Sequence, residues 1–240
     1  MADFTLQIGQ YTARVHSLFE STRDYCIRYL TDAPPQFQIT VTHEDLQHQQ
    51  QALREEALQE GLRPRTFSDP FLERTVIQEK LADLLLLHKV LLVHGSTVAI
   101  EGKAYLFTAK CGTGKSTHTR LWREVFPGKA QMVNDDKPFL ELAETAVLAH
   151  GSPWSGKHGL DNNLSVPLQG ICILERGTEN RIHPITPEDA LPLILHQTYH
   201  PPEPLVTELL RRIPLWRMTC TKHPEAAQVA YDAMSRKYAL

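Results

Sequence analysis

Hydrophobic and polar residues alternate in three short stretches near the start of the chain, and this period of two predicts β-strands. The stretches are residues 4–8, 12–15 and 37–41. Residues 43–60 are rich in Gln and Glu and carry only a weak leucine stripe, which predicts an exposed helix or loop. Asp69 and Pro70 then predict the start of a helix with a buried leucine face, with Asp69 as the cap and Pro70 in the first turn.

The middle of the chain predicts further strands, and its end predicts helices. Apolar stretches indicate strands at residues 90–93, 97–100, 104–108, 131–133, 139–142, 147–150, 170–174 and 215–219. Helical patterns cover residues 187–199, 205–212 and 224–237, and Thr186 and Asp189 are spaced as a capping box. We therefore predict an α/β protein with a mixed sheet and C-terminal helices. Its N-terminal portion, residues 1–85, is strand-rich and helical and is expected to pack on a core formed by residues 86–240.

Composition narrows the class of protein. An apolar content of 42% and a net charge of −3 are typical of a globular domain without a strong field for nucleic acid or membranes. The cysteines are far apart in the chain and none is in a C-x-x-C pair, which argues against a zinc ribbon or a disulfide framework. We find no signal-peptide pattern and no apolar run long enough to span a bilayer. These features predict a cytoplasmic protein with no nucleic-acid or membrane partner, and they allow a homo-oligomer.

The strand predicted at residues 104–108 leads into the most informative motif, Ala-Lys-Cys-Gly-Thr-Gly-Lys-Ser-Thr at residues 109–117. Glycines let backbone N–H groups curl around an anion, and a helix N-terminus attracts negative charge. In such a loop Lys115 reaches the outer phosphates of a nucleotide and the Ser116 hydroxyl binds Mg²⁺. Ala109 stands where the usual motif has its first Gly. The predicted phosphate-binding residues are Cys111, Gly112, Thr113, Gly114, Lys115, Ser116 and Thr117.

Two adjacent carboxylates, Asp135 and Asp136, follow a short apolar strand downstream of this loop. Neighbouring side chains of an extended segment point in opposite directions, so the two can divide their work. One carboxylate can hold Mg²⁺ and the other can accept a proton from an attacking hydroxyl. We assign the metal to Asp136 and the base to Asp135. The alternative is a turn with two solvated charges.

A shaped loop at residues 151–158 contains two glycines, a proline and a tryptophan, followed by Lys157 and His158. Lys157 in such a loop can bind a substrate anion or the phosphoryl group in transfer. The alternative is a structural loop with Trp154 packed inwards. His94, at the end of an apolar strand, has two interpretations as well, a satisfied core residue or a residue of the site.

The ordered set of motifs resembles HPr kinase/phosphorylase, and more loosely phosphoenolpyruvate carboxykinase. It is most similar to bacterial HPr-kinase-related proteins that are described as carboxykinase-like. The matching segments are Val-His-Gly-Ser at 93–96, Gly-Thr-Gly-Lys-Ser-Thr-His at 112–118, Leu-Trp-Arg at 121–123, Asn-Asp-Asp-Lys-Pro at 134–138 and Gly-Ser-Pro-Trp-Ser-Gly-Lys at 151–157. The chain lacks the signature that HPr kinases carry after the paired Asp, as well as their usual N-terminal domain.

The resemblance implies an HPr-kinase/carboxykinase-like P-loop core that uses ATP and Mg²⁺. It places His94 close to the reacting phosphate, lets residues 112–117 cradle the phosphates with Ser116 on Mg²⁺, and shares metal binding and the role of base between Asp135 and Asp136. From the residues themselves we add Lys115 and Lys157 to the catalytic set and assign the metal to Ser116 and Asp136. The expected function is an ATP-dependent kinase acting on a hydroxyl of a peptide, a protein or a small metabolite, with the acceptor left open. The alternatives are an ATP-binding sensor or scaffold without turnover, and a carboxykinase-like enzyme.

Overall fold

The computed structural model describes residues 1–59 and 61–236, and it is a mixed α/β protein. Contacts between Cα atoms divide the chain into two units, Met1–Leu87 and His88–Leu240. Among the described residues, no helix combines the length and the apolar character that crossing a membrane requires.

The first unit contains a small sheet with the strand order β1-β2-β3. β1 and β2 form an antiparallel hairpin, whereas β2 and β3 are parallel. The strands are β1 (Ala2–Ile8), β2 (Tyr11–Ser17) and β3 (Phe37–Thr40). The helices are α1 (Glu20–Tyr25), α2 (His43–Gln59) and α3 (Asp69–Leu86), with a 3₁₀ turn at Ile27–Tyr29.

Sequence periodicity located the strands of this unit but missed α1, which is only six residues long. Residues 43–60, for which the sequence predicts an exposed helix or loop, form helix α2 up to Gln59. Residue 60, the expected end, lies outside the described residues. The expected cap of α3 was wrong by one position. The N-cap is Ser68, and Asp69 is already helical with Pro70 in the first turn, where a missing N–H costs nothing.

The second unit contains a sheet whose described strands follow the order β4-β8-β9-β10-β6-β5-β7, with β12 beside β10 and β11 beside β12. The strands are β4 (Val90–Leu92), β5 (Ser96–Ile100), β6 (Lys103–Thr108), β7 (Gln131–Asn134), β8 (Phe139–Leu142), β9 (Val147–His150), β10 (Ser165–Arg176), β11 (Arg181–Pro184) and β12 (Leu215–Cys220). The sequence pattern missed β11 and found only the buried half of β10.

β10 is the long central strand of this sheet. Its first residues pair antiparallel with β9, and its later residues pair parallel with β6 on one side and with β12 on the other. The carboxyl ends of β6, β10 and β12 therefore lie along one edge of the sheet. Loops that leave such an edge are where open α/β sheets bind their ligands.

The helices of the second unit are α4 (Lys115–Val125), α5 (Pro187–His196), α6 (Glu203–Arg212) and α7 (Glu225–Met234). The predicted capping box of α5 is confirmed. Thr186 Oγ1 accepts from the Asp189 N–H at 3.2 Å, and the Asp189 carboxylate accepts from the Thr186 N–H. α5 ends before the predicted residue 199, and the end predicted for α7 at residue 237 lies outside the described residues.

Helix α4 packs on β5, β6 and α7 through an aromatic cluster. Trp122 is fully buried, with its ring centroid 4.9 Å from that of Tyr105 and 5.2 Å from that of Phe107. Burying large aromatic surfaces stabilises a domain strongly. This packing fixes the N-terminus of α4 relative to the end of β6, so that the connecting loop is held at both of its ends.

Candidate active site

The glycine-rich loop connects the end of β6 to the start of α4, as the sequence predicted. Gly112 and Gly114 have φ angles of 73° and 120°, a region that residues with a Cβ rarely adopt. Gly114 is the N-cap of α4, and the first N–H groups of a helix have no partner within it. Cys111 and Gly112 are exposed at the tip of the loop, while Ser116 and Thr117 are half-buried. Positive φ angles at glycines and a helix N-terminus are two features that anion-binding loops use.

Lys115 folds back under this loop. Its ammonium group donates to the carbonyl oxygen of Ala109 at 3.3 Å, and the residue is only 8% exposed. Burial lowers the pKa of Lys115 below its ordinary value, against the opposing charges of Cys111, Asp136 and Asp135. The residue that departs from the usual motif, Ala109, is itself buried and holds the lysine through its backbone.

Asp135 follows β7 directly and points towards the start of α4. Ser96 Oγ donates to its Oδ1 at 2.6 Å, and Thr119 Oγ1 lies 2.7 Å from Ser96 Oγ. Burial raises the pKa of Asp135, while hydrogen bonds from Ser96 and Ser116 and the charge of His158 oppose that rise. Asp135 is only 5% exposed, and its hydrogen bonds hold the buried carboxylate in one orientation.

Asp136, the next residue, has a different partner. Its Oδ1 lies 3.2 Å from Nε2 of His94. Burial would raise the pKa of Asp136, but the hydrogen bond from His94 and the charges of Lys137, His94 and Lys115 outweigh it, and the pKa lies below its usual value. The two carboxylates therefore have pKa values shifted in opposite directions, an arrangement found where two carboxylates have different tasks.

Backbone hydrogen bonds bring His94 to this position. The N–H of Val93 donates to the Pro138 carbonyl at 3.1 Å, and the N–H of Gly95 donates to the Asp136 carbonyl at 3.0 Å. The hydrogen bond to Asp136 raises the pKa of His94, but burial and the nearby lysines outweigh it, so that the pKa lies below its ordinary value. The His94 imidazole therefore contacts one of the paired carboxylates, and its role in the site stays a prediction.

The loop at residues 151–158 lies against the two carboxylates. A Cβ on Gly156 would meet the Cβ of Asp136 at 3.2 Å, and a Cβ on Gly151 would collide with the backbone oxygens of Asn162 and Val133. Trp154 is 7% exposed and packs edge-on against Phe139, so the inward packing considered from the sequence is confirmed. Lys157 is exposed in a 3₁₀ turn, Gly156–His158, and its role stays a prediction.

Sequence reasoning missed the polar residues that hold the site together. Arg176, at the end of β10, donates to the carbonyl oxygens of Gly112 and Thr113 in the glycine-rich loop. Ser96 and Thr119 orient Asp135, as described above. Serine and arginine are common at the exposed ends of strands, so neither residue type marks a site in the sequence. For Ser96, the one available signal is its place in β5, two residues before the apolar Val98.

The oxygen donors present are of the kind that Mg²⁺ takes. Ser116, Asp135 and Asp136 offer one hydroxyl and two carboxylates, and Mg²⁺ in nucleotide sites is held by one or two carboxylates together with substrate phosphates. No group of three or more His, Cys, Asp or Glu side chains placed to hold a metal ion occurs within residues 1–59 and 61–236. The donor set therefore fits Mg²⁺ brought by a nucleotide and not a protein-only metal cage.

A comparison with solved structures gives a distant likeness. No protein-family model matches the chain, and no curated protein matches it. Among solved structures, the chain is similar to the HPr(Ser) kinase/phosphatase from Coxiella burnetii, at 12% identity and a TM-score of 0.37. The match covers 60% of this chain and 99% of that one. At this level the likeness carries no argument about function, which has to come from the site itself.

Proposed function

We propose that this chain is an ATP- and Mg²⁺-dependent kinase with an HPr-kinase-like P-loop core, transferring the γ-phosphoryl group to a hydroxyl acceptor. One observation carries the proposal. Lys115 at the helix N-terminus, the carboxylates of Asp135 and Asp136, and His94 lie in one cluster beside the glycine-rich loop. The order of the sequence motifs, which resembles that of HPr kinase/phosphorylase, supports the same class.

Each residue of the cluster has a role that its surroundings favour. Backbone N–H groups of the loop and the Lys115 ammonium hold the phosphate chain and neutralise charge that develops on it. Asp135, whose pKa is raised by burial, takes the proton from the acceptor hydroxyl. Ser116 and Asp136 would hold Mg²⁺, which would supply positive charge at the transferring phosphoryl group. His94 and Lys157 flank the phosphoryl group and supply hydrogen-bond donors.

Two observations bear on the division of labour between the carboxylates, and they point in different directions. The raised pKa of Asp135 favours it as the base. The hydrogen bond that Asp135 receives from Ser116 favours it as the neighbour of the metal. We keep Asp135 as the base because Asp136, with its lowered pKa, stays ionised more readily and is the better partner for a cation.

The acceptor is a hydroxyl of a peptide, a protein or a small metabolite. An ATP-binding sensor without turnover would need the phosphate loop but not a desolvated carboxylate beside it. A carboxykinase-like enzyme would need a site for an oxo-acid, for which we identified no residues in the sequence.

Production of ADP from Mg-ATP, with and without serine peptides, free amino acids and sugars, tests this proposal. Lys115→Ala should lower turnover by at least ~100-fold and weaken ATP binding, since it removes the cation on the outer phosphates. Lys129→Ala, which changes an exposed lysine beyond α4, is the matched control. Wild-type turnover in a folded Lys115→Ala preparation would remove the kinase site as proposed, and ATP binding without turnover on any acceptor would favour the sensor.

A further inference from the structure

Three polar side chains lie side by side on neighbouring strands of the second unit: Glu141 on β8, His150 on β9 and Ser165 at the start of β10. His150 pairs directly with Ser165, and Glu141 pairs with Leu148, two residues before His150. Opposed and diagonal neighbours of this kind share one face of a sheet and can reach each other. These three residues are separate from those proposed above to act on the nucleotide.

Hydrogen bonds connect the three side chains in a row. Nε2 of His150 lies 2.9 Å from Oε2 of Glu141, and Nδ1 of His150 lies 2.8 Å from Oγ of Ser165. Glu141 and His150 are buried, at 5% and 1% exposed, whereas Ser165 is exposed. A carboxylate only accepts hydrogen bonds, so Nε2 carries the proton of the neutral ring and Nδ1 is left to accept from the Ser165 hydroxyl. The row therefore runs from a buried carboxylate to a serine at the surface.

The surroundings of His150 suit a base. Burial lowers the pKa of His150 below its ordinary value, against the opposing charge and hydrogen bond of Glu141, so the ring is neutral at neutral pH. A neutral imidazole that accepts from a serine hydroxyl can activate it as a nucleophile, and a carboxylate on the other ring nitrogen fixes the tautomer and the orientation of the ring. Because Ser165 is exposed, a molecule in solution can reach it.

We propose that Ser165 is a nucleophile that takes an acyl group from carboxylic esters, with His150 as its base. Ser165 Oγ attacks the carbonyl carbon of the ester while its proton passes to His150 Nδ1. The bond to the alcohol oxygen then breaks, and the leaving alkoxide takes the proton from Nδ1. The products are an acyl ester of Ser165 and the free alcohol. This reaction uses neither nucleotide nor metal, so the inference does not rest on the proposed kinase function.

The test treats the full chain with diisopropyl fluorophosphate, which loses fluoride and leaves a stable phosphoryl ester on an activated serine. Mass spectrometry of peptides compares the rate of labelling at Ser165 with that at Ser21, an exposed serine of α1 in the same sample. The variant His150→Gln removes the base. His48→Gln, which changes an exposed histidine of α2, is the matched control. Cleavage of p-nitrophenyl acetate by labelled and unlabelled wild-type protein then tests transfer of an acyl group.

We expect Ser165 of the wild-type protein to be labelled at least about 100-fold faster than Ser21, the gain that a positioned base supplies. His150→Gln should lower this ratio at least about tenfold, and His48→Gln should leave it unchanged. Labelled protein should release p-nitrophenolate more slowly than unlabelled protein. A smaller wild-type ratio, a ratio that survives His150→Gln, or ester cleavage that labelling does not slow would each overturn the proposal. The wild-type ratio decides the matter even where His150→Gln does not fold.

Discussion

The side-chain amide of Asn134 donates to both the carbonyl oxygen and the hydroxyl of Ser152, at 2.8 and 3.0 Å. Its oxygen accepts from the backbone N–H groups of Asp136 and Lys137, at 2.8 and 2.6 Å. One fully buried side chain therefore joins the turn that carries the carboxylates to the loop that begins at Gly151. A buried amide with every hydrogen bond made orients both segments, because leaving any of these groups unpaired is costly.

Asn134→Asp should test this link. The variant keeps an acceptor for the two N–H groups but presents a second oxygen to the Ser152 carbonyl in place of a donor. We expect a loss of about 1–3 kcal/mol in the free energy of unfolding and about 100-fold lower turnover through misplacement of the site, with ATP binding nearly retained. Urea unfolding and single-turnover assays measure both effects. The control is Asn163→Asp, at an exposed position further along the segment between β9 and β10. Full turnover in Asn134→Asp would show that transfer does not depend on this link.

The two carboxylates should respond differently to neutralisation. Asp136→Asn should raise the Mg²⁺ concentration needed for half-maximal activity, whereas Asp135→Asn should lower turnover with ATP affinity nearly unchanged. Mg²⁺ titrations of activity and ATP affinity on both variants separate the two roles. The reverse pattern would exchange the assignments, and full activity in both variants would reduce the pair to a solvated turn.

Lys157 and Trp154 belong to the same loop but should differ in effect. Lys157 is exposed beside Gly156, so Lys157→Ala should leave stability and ATP binding unchanged and lower transfer to the acceptor. Trp154 is buried against Phe139, and Trp154→Ala should lower the free energy of unfolding by roughly 3–5 kcal/mol. Melting, ATP affinity and turnover are compared side by side, with Lys129→Ala as the control. Normal transfer by Lys157→Ala would remove this lysine from the site.

His118 should make stability depend on pH. Burial lowers its pKa to about 4, whereas the unfolded chain titrates near its ordinary value of 6.5. The unfolded state therefore binds the proton first, and the contribution to stability is complete above pH 6.5 and is lost as the pH falls towards 4. The loss is on the order of 3 kcal/mol, at about 1.4 kcal/mol for each pH unit.

Urea unfolding of wild type and His118→Gln at pH 7 and pH 4.5 measures this contribution. The glutamine oxygen can still accept the hydrogen bond that Trp122 Nε1 donates to His118 Nε2 at 3.2 Å. The buried His150, whose pKa burial also lowers, is present in both proteins and cancels from the difference. An identical loss of stability in wild type and variant would exclude His118 as the titrating group.

The sequence by itself determined the features that depend on neighbouring residues. Glycine at 112 and 114 permits positive φ angles, and the hydroxyl of Thr186 with the carboxylate of Asp189 closes a capping box, because both effects act within a few residues. Alternation of apolar residues located most strands for the same reason.

The tertiary structure alone decided which distant residues meet. Arg176 reaches the carbonyl of Gly112 across 64 residues of chain, and Ser96 reaches Asp135 across 39. These contacts exist because β10 lies parallel to β6 and because β5 pairs with β7. Strand order depends on how the whole sheet is buried. Every strand contributes to that burial, so no single segment of the sequence encodes the order. The partners of the glycine-rich loop are therefore properties of the assembled sheet.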